Sequence, residues 1–289
     1  MENLRGALLM TLSMAGFAVE DMFIKLIAGA VPTWQILAVM GLFGAPLFAV
    51  LTWLRGDPLF SRTYLTFPVM VRVVGELIGR FGLITAIALV PLSTASAILQ
   101  ATPLAVAMGA AVFYGDPVGW RRWLAITLGF SGVLIVIRPG TEGFDPRALF
   151  AVLAVIGLGS RDLVTRSIPP QTSSMQLSFI AFLSLFPSAV VLSLFSDEAL
   201  VVPDLRLFAL MVLMVLFGAL AYYLIVAAMR VGEVSFVTPF RYARILFVIV
   251  IGMVMFDETP DFWVIVGACV IVASGIYSIL RERKRRIRT

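Results

Sequence analysis

Histidine is absent from this 289-residue chain, and cysteine occurs once, at Cys269. Without histidine the commonest general base and metal ligand is missing. A single cysteine excludes an intrachain disulfide and argues against a thiolate metal site. Charge is also scarce: Asp, Glu, Lys and Arg make up 13% of the residues, against about 25% in an ordinary soluble domain. These shortages point away from catalysis and metal chemistry, and no cofactor is expected.

What the chain has in excess is apolar residues, at 61%, where soluble domains carry about 45–50%. Segments of about 20 apolar residues are long enough to cross a hydrocarbon core about 30 Å thick. The sequence divides into ten of them, at 4–27, 31–54, 67–89, 93–113, 120–137, 147–166, 174–195, 205–230, 234–256 and 261–280. Pro32, Gly56-Asp57-Pro58, Pro91, Gly115-Asp116-Pro117, Pro139-Gly140, Pro169-Pro170, Pro203 and Thr259-Pro260 fall between these spans, as chain-breaking residues should. The segments lack the alternation of lipid-facing barrel strands, so helices are expected throughout. Leu4 to Ile27 is too long for a signal-peptide core and carries Glu20, Asp21 and Lys25, so it reads as a first spanning helix.

Arginine placement sets an orientation. With the N-terminus inside, the inner loops and helix ends hold Arg5, Arg55, Arg62, Arg121, Arg122, Arg166 and Arg230. The outer loops hold Arg138, Arg147 and Arg206 among Glu142, Asp145, Asp197, Glu198, Asp204, Asp257 and Asp261. This bias places both termini in the cytoplasm. The net charge of +5 is concentrated where Arg281, Arg283, Lys284, Arg285, Arg286 and Arg288 follow the last apolar segment. That cluster reads as a membrane stop in contact with anionic lipid, with no nucleic-acid partner.

The two halves echo each other. Asp21 and Lys25 recur as Asp162 and Arg166, and Trp120, Ser131 and Gly132 recur as Trp263, Ser274 and Gly275. Tyr114-Gly115-Asp116 answers Phe256-Asp257-Glu258. Five helices per half is an odd number, so the halves insert with opposite topology, as inverted repeats of secondary transporters do. The expected units are a first repeat over 1–140, a second over 141–280 and a basic tail over 281–289.

Ten ionisable residues fall within or near the ends of the spans: Glu20, Asp21, Lys25, Arg72, Glu76, Arg80, Arg161, Asp162, Arg241 and Arg244. An Arg, Lys or Asp costs about 2.5–3.5 kcal/mol at a helix centre on insertion scales, so these groups must face one another or a wet cavity. Arg72, Glu76 and Arg80 are four apart on one helix face, and Asp21/Lys25 and Asp162/Arg166 share that spacing. The two pairs serve as structural or gating contacts at helix ends. The Arg72–Glu76–Arg80 ladder either neutralises itself or meets substrate, with Arg80 the deepest.

Arg241 and Arg244 have no acid on their own helix face, so their partners come from another helix or from a ligand. An arginine fork suits carboxylate or phosphate oxygens. Tyr222, Tyr223 and Tyr242 are candidates for the same space or for packing. Ala97, Ala101, Ala105 and Gly109 form a close-packing ladder. Pro103 and Pro239 either kink their helices for packing or free carbonyls for a cavity, beside the polar Gln100 and Thr102.

These stretches carry a family resemblance. Pro91-Leu92-Ser93-Thr94-Ala95-Ser96-Ala97-Ile98-Leu99-Gln100-Ala101-Thr102-Pro103 runs on to Tyr114-Gly115-Asp116-Pro117 in the first half. Val237-Thr238-Pro239-Phe240-Arg241-Tyr242-Ala243-Arg244 runs on to Phe256-Asp257-Glu258 in the second. The chain thereby resembles the EamA-type proteins of the drug/metabolite transporter superfamily over essentially its whole length. The resemblance implies ten helices in two five-helix repeats around a central cavity, with alternating access and no ATP. Similar members export amino acids and other metabolites or import riboflavin or S-adenosylmethionine. Many relatives carry an arginine in the second helix where this chain has Gly41, so no role for that arginine carries over.

The expectation is an all-α integral membrane protein of the inner (cell) membrane and a secondary transporter, not an enzyme. Its cavity is walled by helices 1, 3, 4, 6, 8 and 9. The substrate-binding candidates are Arg80, Gln100, Tyr222, Tyr242, Arg241 and Arg244; the coupling or gating candidates are Glu76, Arg72, Asp21, Lys25, Asp162 and Arg166. Six basic against four acidic groups in the spans favour an anionic or zwitterionic metabolite, such as an amino acid. The alternatives are a larger metabolite such as riboflavin or S-adenosylmethionine, and a membrane ligand sensor or scaffold that does not transport. Expected partners are the small-molecule substrate, the lipid bilayer, a proton coupled through Glu76, and a second copy in a homodimer.

Overall fold

The computed structural model describes residues 2–116, 119–169, 171–231 and 234–286. Pro117, Pro170, the side chains of Arg122 and Arg230 and those of the basic tail beyond Arg281 lie outside the described residues. The described chain is helical: α1 (Glu2–Ala28), α2 (Thr33–Leu54), α3 (Phe67–Leu89), α4 (Leu92–Leu99), α5 (Thr102–Tyr114) and α6 (Trp120–Ile137). It continues with α7 (Leu149–Thr165), α8 (Ser174–Ser193), α9 (Leu205–Val231), α10 (Val234–Val237), α11 (Arg244–Phe256) and α12 (Phe262–Arg286).

Among the described residues, eight helical stretches are long and apolar enough to cross a membrane. Two of the expected spans stand apart from these eight. Helix α3 has the length but carries Arg72, Glu76 and Arg80, and the described apolar stretch of α6, Trp123–Ile137, is shorter than a full span.

The span expected at 93–113 is interrupted. Pro103 has no N–H to give the Leu99 carbonyl, and the Thr102 hydroxyl donates to that oxygen instead, at 2.7 Å. The span expected at 234–256 is interrupted likewise, passing through a tight turn of 3-10 helix at Thr238–Ala243 that contains Pro239. The two breaks meet where the Gln100 amide donates to the Tyr242 carbonyl at 3.1 Å. Helices α5 and α11 then end alike. Gly115 (φ +65°) and Asp257 (φ +51°) take the left-handed conformation, and the following acids, Asp116 and Glu258, donate their N–H to Ala110 and Gly252 carbonyls.

Packing is pairwise: α1 with α9, α2 with α8, α3 with α7 and α6 with α12. Small residues set how close the pairs approach. Gly75, Gly79 and Gly82 line the α3 face against α7, where a Cβ on Gly157 would stand 2.3 Å from the Gly79 nitrogen. On α5, Gly109 and Ala105 meet Leu163 and Gly159 of α7, as the small-residue ladder led one to expect. Gly41 lies against the backbone of Phe186 in α8, so a long side chain there would collide with α8.

The α3–α7 crossing brings buried charges of the two halves together, so widening it affects the site and the fold at once. Gly157→Val is expected to destabilise the purified protein by about 1–3 kcal/mol through overpacking, read as a lower midpoint of thermal unfolding in detergent.

Candidate functional site

The buried charges form a chain that crosses the bundle. On α1, Glu20 accepts from the Arg80 guanidinium of α3 at 3.1 Å. Arg80 also donates to Glu76 at 3.0 Å, one helical turn away, and the second Glu76 oxygen accepts from Arg161 of α7 at 2.9 Å. Arg161 turns to its neighbour Asp162 at 2.8 Å, and Asp162 faces Arg241 at 3.6 Å. Beside this chain, Arg244 grips Asp21 through both carboxylate oxygens at 2.6–3.1 Å. An arginine fork that engages both oxygens fixes orientation as well as charge.

Around these groups lies a cavity in which about 110 Å³ is open to the centre of a water molecule. Its charged lining is Arg80, Arg161, Arg241, Arg244 and Glu20, while Gln100, Thr102, Tyr222 and Tyr242 supply polar and aromatic surface. Asp21, Glu76 and Asp162 stand behind the arginines they hold. The local sum is near neutral, yet the wall offered to a ligand is mostly guanidinium. Met14 and Phe17 from the middle of α1, with Tyr222 and Ile225 from the last part of α9, draw the cavity towards the face that carries the N-terminus.

All six substrate-binding candidates line this cavity. The Tyr242 hydroxyl is buried without a hydrogen-bond partner, tucked against Gly275 of α12. Tyr223 turns outward at 44% exposure and does not belong to the site.

The expected pairings at the helix ends are corrected. Asp21 does not pair with Lys25 but with Arg244, and Asp162 does not pair with Arg166 but with Arg161 and Arg241. Three or four residues of spacing permit a pair on one helix, and here a stronger partner stands on a neighbouring helix. Arg72 likewise donates to the Thr165 hydroxyl of α7 instead of to Glu76, while its Nε is buried without a partner. Of the ladder, only Glu76–Arg80 forms in cis.

Lys25 meets Glu258 at 2.8 Å and donates to the Val90 carbonyl at 2.9 Å. Glu258 also accepts from the Leu92 and Ser93 amides at 2.7 and 3.2 Å and from the Ser93 hydroxyl at 3.2 Å. It thus satisfies the N-terminus of α4, which has no cap of its own in sequence. Arg166 forms two hydrogen bonds with Asp116 at 2.8 and 2.9 Å and lies over the Tyr114 ring. The site candidates therefore missed Arg161, Glu20, Glu258 and Asp116. The last two were signalled by their matching places in the repeat. Because Glu258 neutralises Lys25, the excess of two positive charges expected in the spans falls to one.

These features define a class first: a helical membrane bundle with a cationic cavity closed in by broken helices. The sequence profile of the EamA-like transporter family matches residues 4–138 and again residues 146–280, and the chain belongs to that family. It is similar to the riboflavin transporter of Rhizobium johnstonii, at 29% identity over 78% of this chain and 74% of that protein. The S-adenosylmethionine uptake transporter of Rickettsia bellii is 27% identical over 68% of this chain and 67% of that protein. The pseudopaline exporter CntI of Pseudomonas aeruginosa is 23% identical over 96% and 97% respectively. A solved crystal structure superposes with a TM-score of 0.59 over 96% of this chain and 99% of that chain, at 18% identity, a likeness of fold alone.

Burial by itself would raise the Glu258 carboxyl, but the bonds from Lys25 and from the Leu92 and Ser93 amides outweigh it and hold the pKa below the ordinary value. A carboxyl lowered on folding stabilises the protein above its unfolded pKa and loses that contribution as pH falls through the folded one. Glu258→Gln should therefore lower the unfolding midpoint at neutral pH. The gap to the parent should close only below about pH 4, beneath the usual glutamate range, in a thermal-unfolding series against pH.

Proposed function

We propose that this chain is a secondary transporter that carries a small polar metabolite with an anionic or zwitterionic group through this cavity by alternating access. Ten spans in two inverted repeats, with both termini in the cytoplasm, form its frame in the inner membrane. The pairing pattern supports a two-fold relation of the halves: exchanging them turns the α1–α9 contact into the α7–α3 contact and returns α2–α8 and α6–α12 to themselves. The family and the names of its relatives favour transport over catalysis.

One observation carries the substrate reading. Arg241 lines the cavity, its side chain is 32% exposed, and its nearest carboxylate stands at 3.6 Å, whereas Arg244 is held by both oxygens of Asp21. Arg241 is thus the guanidinium most available to a ligand carboxylate, and Gln100, Tyr222 and Tyr242 line the space for the rest of the molecule. S-adenosylmethionine, which a relative takes up, has an amino-acid head of this kind. A ligand of that size needs more room than the present cavity, so binding involves opening on the N-terminal face. If transport is proton-coupled, Glu20 suits the task better than Glu76. Glu20 faces the cavity and is held by one arginine through one oxygen, whereas Glu76 is clamped between two.

A panel of anionic, zwitterionic, neutral and cationic metabolites, including riboflavin and S-adenosylmethionine, tests this by thermal stability in detergent. A true ligand at 100 times its Kd should stabilise the fold by about 2.7 kcal/mol. Arg241→Gln should keep the unliganded midpoint and weaken binding at least tenfold. A shift by neutral compounds alone, or one indifferent to Arg241→Gln, contradicts the reading.

A further inference from the structure

The pairs Lys25–Glu258 and Arg166–Asp116 have the same construction at opposite ends of the bundle. In each, a cation at the end of the first helix of one half crosses to an acid just past the fourth helix of the other half. In each, the acid follows a left-handed helix cap, and the cation lies over the aromatic ring two residues before that acid. Lys25 sits 5.5 Å from the Phe256 ring centre and Arg166 4.2 Å from that of Tyr114. The ends are opposite because α7 runs against α3. Lys25 stands beside Val90 at the end of α3, while Thr165, next to Arg166, stands beside Arg72 near its start. Eighteen residues of helix separate Arg72 from Val90, about 27 Å at 1.5 Å per residue.

Resting on the transport reading, we propose that these two pairs are the paired latches of the pathway. Lys25–Glu258 closes the mouth away from the N-terminus, Arg166–Asp116 closes the mouth beside it, and each turnover breaks them in alternation. The central chain of charges lies between them. The latches differ in strength. Lys25 and Glu258 are 19% and 10% exposed, and Glu258 also ties down the start of α4, so the ends of α1, α3, α4 and α11 are drawn together. Arg166 and Asp116 are 42% and 38% exposed, and exposed pairs are worth little. The structure therefore rests with its distal mouth firmly shut and its N-terminal mouth lightly held, in agreement with a cavity drawn towards the N-terminal face.

Sealed vesicles of both orientations, holding the full-length protein, test this without any substrate. Cys269, which is exposed, is replaced by serine, and Leu83→Cys in the cavity lining reports entry of a membrane-impermeant thiol reagent. The parent should label from the N-terminal face. Glu258→Gln should speed labelling from the distal face at least tenfold without speeding it from the N-terminal face. Asp116→Asn should speed labelling from the N-terminal face alone, by a smaller factor. Lys25→Met, which keeps the carboxylate on the α4 N-terminus, should reproduce Glu258→Gln if that variant folds poorly. Labelling that stays unchanged, or rises equally from both faces in folded variants, overturns the latches and leaves the pairs as static staples. Face-specific labelling with no ligand found by thermal stability would sink the metabolite reading while sparing the latches. A ligand dependent on Arg241 with face-independent labelling would do the reverse.

Discussion

An arginine or a carboxylate in a hydrocarbon setting is tolerable only when its charge is met by another or by water. In this protein the condition is met by a relay in which Glu20, Arg80, Glu76, Arg161, Asp162 and Arg241 alternate in sign from α1 through α3 and α7 to the turn before α11. Most links join different helices or successive turns of one, so the relay fixes their rotations relative to each other. Removing an inner member such as Glu76 or Arg80 strands its neighbours in a low-dielectric interior, and a broken buried pair costs more than an intact one contributes. Arg241 at the end, by contrast, is partly exposed and only loosely tied to Asp162. The glycines of α3 and α7 matter for the same reason: only at so close a crossing do Glu76 and Arg161 come within hydrogen-bond reach.

The relay also explains how a nearly neutral assembly presents a cationic face. Two of its carboxylates, Glu76 and Asp162, stand behind the arginines, and Arg241, at its open end, is the least tightly held. Under the proposed function, a ligand carboxylate arriving there would replace a weak internal contact instead of a strong one. Binding there would be linked to helix position, because the turn that carries Arg241 also bears the Tyr242 carbonyl to which Gln100 is bonded.

Much of this was legible in the sequence. Length and composition marked the spans, and the unneutralised Arg241 and Arg244 pointed to partners on other helices. Pro103 and Pro239 offered a kink or a break in two of the spans, while Pro46 and Pro187 lie inside unbroken helices. Partner choice was not legible. Asp21 has Lys25 one turn away, yet it goes to Arg244, 223 positions later, because α1 packs against the second half of the chain. Glu258 stood out only as part of the repeated Phe256-Asp257-Glu258, since nothing local shows that the α4 N-terminus, which lacks a cap, lies beside it. The glycines Gly75, Gly79 and Gly82 carry no sign in sequence of which helix they pack against. Spacing along one helix gives the pairs that can form; tertiary packing selects those that do.

The central claim is that a cationic cavity between the two halves is carried from one face of the membrane to the other. Counterflow in proteoliposomes tests it most directly. Vesicles loaded with an excess of the unlabelled metabolite that stabilises the protein are diluted into a trace of the labelled compound. The account predicts transient, saturable accumulation of label above its equilibrium level, abolished by Arg241→Gln. A protein that binds the compound tightly yet shows no counterflow would be a membrane-embedded receptor, and alternating access would have to be abandoned.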